Sequence, residues 1–498
     1  MRIFLIILVL FSISLIPENI GFNFEFELRP LVFAVLTCGM ILQLSFSVWR
    51  KDVELKKTKF KFVSIDLAYT SCVLLTILSF VTKAQSIYAF HYTFVASGML
   101  VVYFFIRIMN LNEISFLRKK NYSPDGNFVP NDFVNKFKVQ STKNQVQILI
   151  VGIVFIIAAI GLVQFVMGKP VVSTFGRTSF LGCFLAMNVP IAFGLVLATW
   201  KRPHLSIRYS APACAGRYRV FGIQLLKLLS LVAFVVLLGV TVLTKSRSAL
   251  IALAVVLPLM IIATKSQRHK EKSNDCQKPK TKLYKKIRRV LFSCLGVLVA
   301  LFFIFNIGKA VYKIRPMSAS GRVLIWKVSA EMFKKNPVSG VGFGNFANTY
   351  NFYQANYFAS GKGSVINKMT AGQIRHAYNW YLETAAEFGV FGLVFFGIFW
   401  WLILMEIYKI FLPRNTRKNT ENIQTEYRTP NTEYFLNMGM AGAVLCFMIM
   451  SLFQFPRKII PTYLMFNFAL AWIVNANLEE NSKAQMINNK QIPKEENL

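Results

Sequence analysis

Residues 148–167 read ILIVGIVFIIAAIGLVQFVM, twenty positions without one charged side chain. An α-helix rises ~1.5 Å per residue, so this run is long enough to cross a hydrocarbon core of ~30 Å. A helix of a soluble domain keeps a polar stripe toward water, whereas this one is apolar on every face. Similar runs recur at 225–243, 290–307 and 390–404. Lipid is therefore the solvent for much of the chain.

Composition agrees with that reading. Of 498 residues, 55% are hydrophobic and only 16% charged, a balance foreign to two or three soluble domains. The expected fold is all-α: a polytopic membrane protein with about 12 transmembrane helices and one large helical extracytoplasmic loop. The spans are placed near 3–16, 31–49, 62–81, 87–109, 146–167, 179–199, 222–243, 248–264, 290–311, 388–410, 435–454 and 459–475. They divide the chain into N-terminal transmembrane helices (1–145), central transmembrane helices (146–311), an extracytoplasmic catalytic loop (312–387), C-terminal transmembrane helices (388–475) and a cytoplasmic tail (476–498). The first span is read as a retained anchor, because no small-residue cleavage site follows it.

Fifty-seven Lys and Arg against 22 Asp and Glu leave a net charge of +35. The excess is a topological signal, since cytoplasmic loops retain Lys and Arg. Connections 50–61, 110–145, 201–220, 265–289 and 411–434 hold 6, 6, 5, 11 and 4 of them, all on one side if the N-terminus is cytoplasmic. Both termini are then cytoplasmic. Anionic membrane lipid, not nucleic acid, is the expected partner of 265–289. The seven cysteines show no metal-site spacing and imply no disulfide.

The opposite side carries tight hairpins near Lys83, Lys245 and Pro456 and the long loop. Within that loop a helix bearing Val323, Ile325, Trp326 and Met332 fits a membrane-surface helix that stops at Asn336-Pro337. The glycines Gly340, Gly342 and Gly344 lack nucleotide-loop spacing and predict a turn that lets backbone approach the membrane surface.

Five arginines break the membrane rules by lying at the outer boundary: Arg177, Arg247, Arg322, Arg375 and Arg457. Arginine costs ~2.5–3.5 kcal/mol at a helix centre, and its planar fork suits phosphate oxygens. Snorkelling to headgroups is the competing reading for each. His376 is the one histidine of the loop, a residue type suited to moving protons near neutral pH. Arg375 beside it is expected to lower the imidazole pKa. Trp380 and Tyr381 are candidates for stacking on sugar rings. The loop has three carboxylates, Glu331, Glu383 and Glu387, and no Asp-x-Asp pair, so metal-dependent sugar transfer is poorly supported and no cofactor is expected. Asp66 and Arg107 are read as capping or snorkelling at cytoplasmic helix ends.

These residues carry a resemblance. Thr174-Phe175-Gly176-Arg177-Thr178-Ser179, then Thr244-Lys245-Ser246-Arg247-Ser248 and Gly321-Arg322 with Trp326, then His376-Ala377-Tyr378-Asn379 with Glu387-Phe388-Gly389, are similar to segments of the O-antigen ligase and polymerase family of bacterial membrane glycosyltransferases. The likeness spans about residues 170–400. It implies a donor glycan on undecaprenyl diphosphate, an acceptor such as lipid A-core or another glycan, and metal-independent inverting transfer at the outer face. It also implies catalytic roles for His376, Arg247 and Arg322, while Arg177, Arg375, Trp380, Tyr381 and Glu387 are read as substrate contacts from their residue type and place in the chain. Arg177 and Ser179 stand where many relatives have asparagine. A polymerase of the same family is the alternative. A solute or glycolipid transporter is the rival from another class, although no internal repeat marks one.

Overall fold

The computed structural model describes residues 62–83, 87–119, 132–200, 213–272, 316–411 and 432–490, together with 32, 33, 35, 37 and 39. Expected spans 3–16 and 290–311, most of 31–49 and most of the basic segment 265–289 lie outside the described residues.

The described residues form helices and no strand. In chain order these are α1 (Ser64–Lys83), α2 (Ile87–Lys119), α3 (Asp132–Val166), α4 (Thr178–Trp200), α5 (Ala213–Leu243) and α6 (Arg247–Lys272). The loop region follows with α7 (Pro316–Lys335), α8 (Phe346–Ala359) and the short α9 (Val365–Met369). The chain closes with α10 (Trp380–Phe411), α11 (Thr432–Met450), a 3-10 turn (Pro456–Lys458) and α12 (Ile460–Lys490). Among the described residues eight helices, α1–α6, α10 and α11, are long and apolar enough to cross a membrane. The seventh of them, α10, starts at Trp380, eight positions before the expected span.

The last expected span, 459–475, falls on α12, which is wrapped by the others and buried without interruption from 459 to 477. Enclosure explains how it carries Asn467, Asn475 and Asn477: a helix that meets protein on all sides can satisfy amides internally. Asn467 accepts from the Tyr69 hydroxyl at 2.6 Å, and Asn475 accepts from Arg107. Behind it, α4 is almost wholly buried against α11. Small residues permit that approach, for a Cβ at Gly194 would lie 2.5 Å from the Phe435 carbonyl.

The capping reading holds for Asp66, which accepts the Val63 N–H at 3.0 Å at the start of α1, and the snorkelling reading is corrected for both Asp66 and Arg107. Neither snorkels: both are fully buried, 2.7 Å apart, with Asp66 also accepting from Tyr103 at 2.6 Å. Snorkelling requires a path to water, and α12 closes it. The surface-helix expectation for α7 is corrected as well. Its Leu324, Ile325, Val328 and Met332 turn inward onto Phe346, Tyr350, Tyr357, Ala377 and Ala386, giving the loop its own small core, and Trp326 donates to the Ala377 carbonyl at 3.0 Å. Of the apolar stripe read from the sequence, Ile325, Trp326 and Met332 are covered by protein, while Val323 stays exposed.

Candidate active site at one end of the bundle

Helix alternation brings the end of α1, the start of α2 and the α3–α4, α5–α6 and α11–α12 connections to one end, where residues 316–379 pack across them. The ends of α2, α4 and α10 and the starts of α3, α5 and α11 lie at the other. Among the described residues three non-glycine positions adopt left-handed backbone, Ser173 (φ 49°), Lys245 (φ 53°) and Tyr378 (φ 52°), all in segments at the first end. Such conformations cost ~1–3 kcal/mol each and persist where surrounding structure imposes them.

The glycine-rich turn docks on α10. That helix breaks at Gly389 (φ 63°, ψ −146°), leaving carbonyls of the preceding turn without helical partners. The turn supplies them: Val341 N–H donates to Ala386 O at 3.0 Å, Gly342 N–H to Glu387 O at 2.9 Å, and Val390 N–H donates in return to Pro337 O at 2.7 Å. A Cβ at Gly340 would fall 2.3 Å from the Glu387 carbonyl carbon, so only glycine allows the contact. These glycines thus bring backbone to a helix, not to the membrane surface as expected. Lys83 secures the turn from α1, donating to Gly340 O at 2.7 Å and Ser339 Oγ at 2.6 Å.

Beneath the turn lies a buried cluster of charge. Glu383 and Glu387 share one face of α10 and are each 1% exposed at the side chain. Arg457 Nη2 reaches Glu383 Oε1 at 3.1 Å and Glu387 Oε2 at 3.3 Å. Lys458 Nζ stands 3.6 Å from Glu383 Oε1 and 3.0 Å over the Tyr92 ring. Burial, reinforced by Arg457, pulls the Lys458 ammonium down from 10.5 to about 7, against the opposing pull of both carboxylates. The remaining carboxylate oxygens accept backbone N–H groups, Glu383 Oε2 from Ala377 at 3.0 Å and Glu387 Oε1 from Gly344 at 2.9 Å.

His376 sits on the rim of this cluster, its side chain 15% exposed and Nδ1 3.8 Å from Glu383 Oε1. Phe455 packs against its ring at 4.5 Å, Tyr92 at 6.1 Å. Burial lowers the imidazole pKa below 6.5; Glu383 opposes this, and Lys458 and Arg457 add to it. Arg375, expected to do so, is exposed, and water screens a charge in that position.

Phe455 also touches Tyr378 at 5.3 Å and Phe180 at 5.7 Å, which joins His376 to the arginines. Arg322 lies 5.1 Å over the Tyr378 ring and donates to Phe453 O at 3.1 Å. Burial lowers its pKa, Tyr378 opposes that, and the neighbouring charge of Arg247 lowers it further. Arg247 is half-buried at the first position of α6. Arg177 is exposed, 5.4 Å from the Phe180 ring.

The structure therefore brings His376, Arg322 and Arg247 to one place and sets Arg177 and Arg375 at its exposed edge. It does not offer Trp380 to a sugar: at 3% exposure its ring is enclosed by Trp400, Phe447 and Arg457. Tyr381 is half-buried, with its hydroxyl given to Met448 O at 3.1 Å. Glu387 is sealed under the turn and faces protein only. Lys458, Phe455 and Tyr92 were missed. Lys458 had a signal, since a second cation beside Arg457 in a tight outer hairpin is as anomalous as the first. Among the described residues no three His, Cys, Asp or Glu gather in a metal-binding group.

A helical bundle with eight helices long and apolar enough to cross a membrane among its described residues defines the class: a polytopic membrane protein. Residues 232–397 match the O-antigen ligase family. The likeness to that family read from the sequence is thus supported over an interval that holds Arg247, Arg322, Arg375, His376 and Glu387. Residues 174–182, where Arg177 departs from the family pattern, fall outside it. No curated protein matches the chain.

Proposed function

We propose that this protein is a glycosyltransferase of the bacterial inner membrane that moves a glycan from an undecaprenyl-diphosphate carrier to an acceptor hydroxyl at the outer face. The convergence of Arg247, Arg322 and His376, set in strained, aromatic-lined backbone, supports this reading most directly. The acceptor oxygen attacks the anomeric carbon and its proton passes to His376. The bond from that carbon to the carrier diphosphate breaks with inversion, and the diphosphate leaves with the electron pair. Arg247 and Arg322 stabilise the charge of the leaving group, which needs no general acid. A neutral imidazole is required, and its lowered pKa supplies that form at neutral pH. Activity accordingly falls as pH drops through the lowered pKa.

Lipid A-core is the acceptor we assign, with extension of a carrier-bound glycan as the polymerase outcome of the same assay. Purified protein is given lipid-linked glycan and each acceptor separately, in the presence of chelator. His376→Ala is expected to insert, to bind donor and to lose ~100- to 10,000-fold in turnover. Near-normal turnover of that variant removes the base assignment, and inhibition by chelator that magnesium reverses removes metal-free transfer.

A further inference from the structure

His376 is not the only element of its site with an assigned partner. Glu383 stands in the first turn of α10, and both of its oxygens are engaged. Oε2 binds the N–H of Ala377, the residue directly after His376. Oε1 faces His376 Nδ1 at 3.8 Å, Arg457 at 3.1 Å and Lys458 at 3.6 Å. One carboxylate thus bears on both the main chain and the ring of the histidine.

A purely structural tie between α10 and the Pro456–Lys458 turn would not need this arrangement. Glu387 and Arg457 already link those two elements. Sinking a second carboxylate and a second cation beside them carries a further desolvation cost. What the second pair adds is the approach to Nδ1. A base oriented through its far nitrogen by a third group is a general solution for activating a hydroxyl, and such contacts often lengthen without substrate and tighten with it.

We propose that Glu383, paired with Arg457 and Lys458, is the positioning residue for His376, keeping Nδ1 inward so that Nε2 faces the acceptor hydroxyl. This rests on the reading of His376 as the base. During transfer the hydroxyl proton moves to Nε2, the oxygen pair forms the new glycosidic bond, and the diphosphate departs with the pair of the broken one. Glu383 stays ionised throughout and offsets the charge gained by the ring. The titratable and charged groups around that ring are Glu383 from α10, Arg457 and Lys458 from the turn, Tyr92 from α2, and Arg375 and Tyr378 beside it in the chain.

The test follows carbethoxylation of His376 by diethyl pyrocarbonate against pH in the full-length protein, alongside turnover. The reagent attacks neutral imidazole, so the midpoint reports the ring pKa without any substrate. Glu383 favours the protonated ring, so Glu383→Gln is expected to move the midpoint down by about one pH unit. The same variant should lose about 10-fold or more in kcat with donor KM unchanged, because the ring is both weaker as a base and less well oriented. Glu387→Gln also removes a partner of Arg457 but leaves the Nδ1 contact, and its midpoint is expected to stay in place. An unmoved midpoint in Glu383→Gln, or full turnover, overturns the proposal. Should that variant fail to insert, Glu383→Asp decides: the charge is kept but withdrawn from Nδ1, so kcat should fall, and an unchanged kcat overturns the idea. If the parent transfers no glycan while the midpoint still shifts, the functional reading fails and the His376–Glu383 coupling stands.

Discussion

Arg322 shows how much of a residue's role is set by what it touches. Its guanidinium is spread between the Phe453 carbonyl, the Tyr378 ring and the space beside Arg247. Lysine keeps the charge but has a point-like ammonium that cannot make the planar, forked contact. Arg322→Lys is therefore expected to insert normally and to lose at least ~10-fold in turnover, the equivalent of ~1.4 kcal/mol in the transition state. Full activity in the lysine variant, measured on purified protein, would reduce Arg322 to a headgroup contact. Residues of this kind were legible in the sequence because charge at an outer membrane boundary is anomalous wherever it occurs. Their partners were not. Arg457 lies 74 positions from Glu383 and 70 from Glu387, and no local pattern in either segment specifies the other.

At the scale of elements, α10 and the 336–344 turn act as one piece. The helix ladder is broken at Gly389, and the turn restores its hydrogen bonds while covering Glu387. Alanine at 389 would meet Pro337 O and Val338 O at 2.5 Å and would be forced into backbone that only glycine accepts readily. Gly389→Ala should cost at least ~1–3 kcal/mol and lower the melting temperature in detergent. It should lower turnover too, because Glu383 and the His376 segment are carried on the same helix. An unchanged melting temperature would show that the break is incidental. The sequence displayed Gly389 at the start of an expected span and in a segment similar to the ligase family, with nothing local to mark a break. That it marks a break follows only from the turn that packs on it.

For the whole molecule, the positive-inside rule applied to the sequence puts the basic connections in the cytoplasm, and the site assembles at the bundle end that holds the α3–α4, α5–α6 and α11–α12 connections. We predict that single cysteines placed at Lys362 and within 412–431 of a cysteine-free variant will differ in intact cells. An impermeant thiol reagent should label the first and not the second, and the reverse pattern would invert the orientation. Cys72, Cys183 and Cys446 are buried, so their removal needs packing-matched replacements. Helical class and, among the described residues, the positions of the long apolar helices were legible in sequence alone, and His376 and the arginines were singled out there, because each depends on local composition judged against a lipid solvent. Burial of Asp66 with Arg107, enclosure of α12, withdrawal of Trp380 from the surface and the carboxylate behind His376 were decided only by tertiary structure. Each depends on which distant segment covers a side chain, and the free energy of a buried charge is set by that partner rather than by its neighbours in the chain.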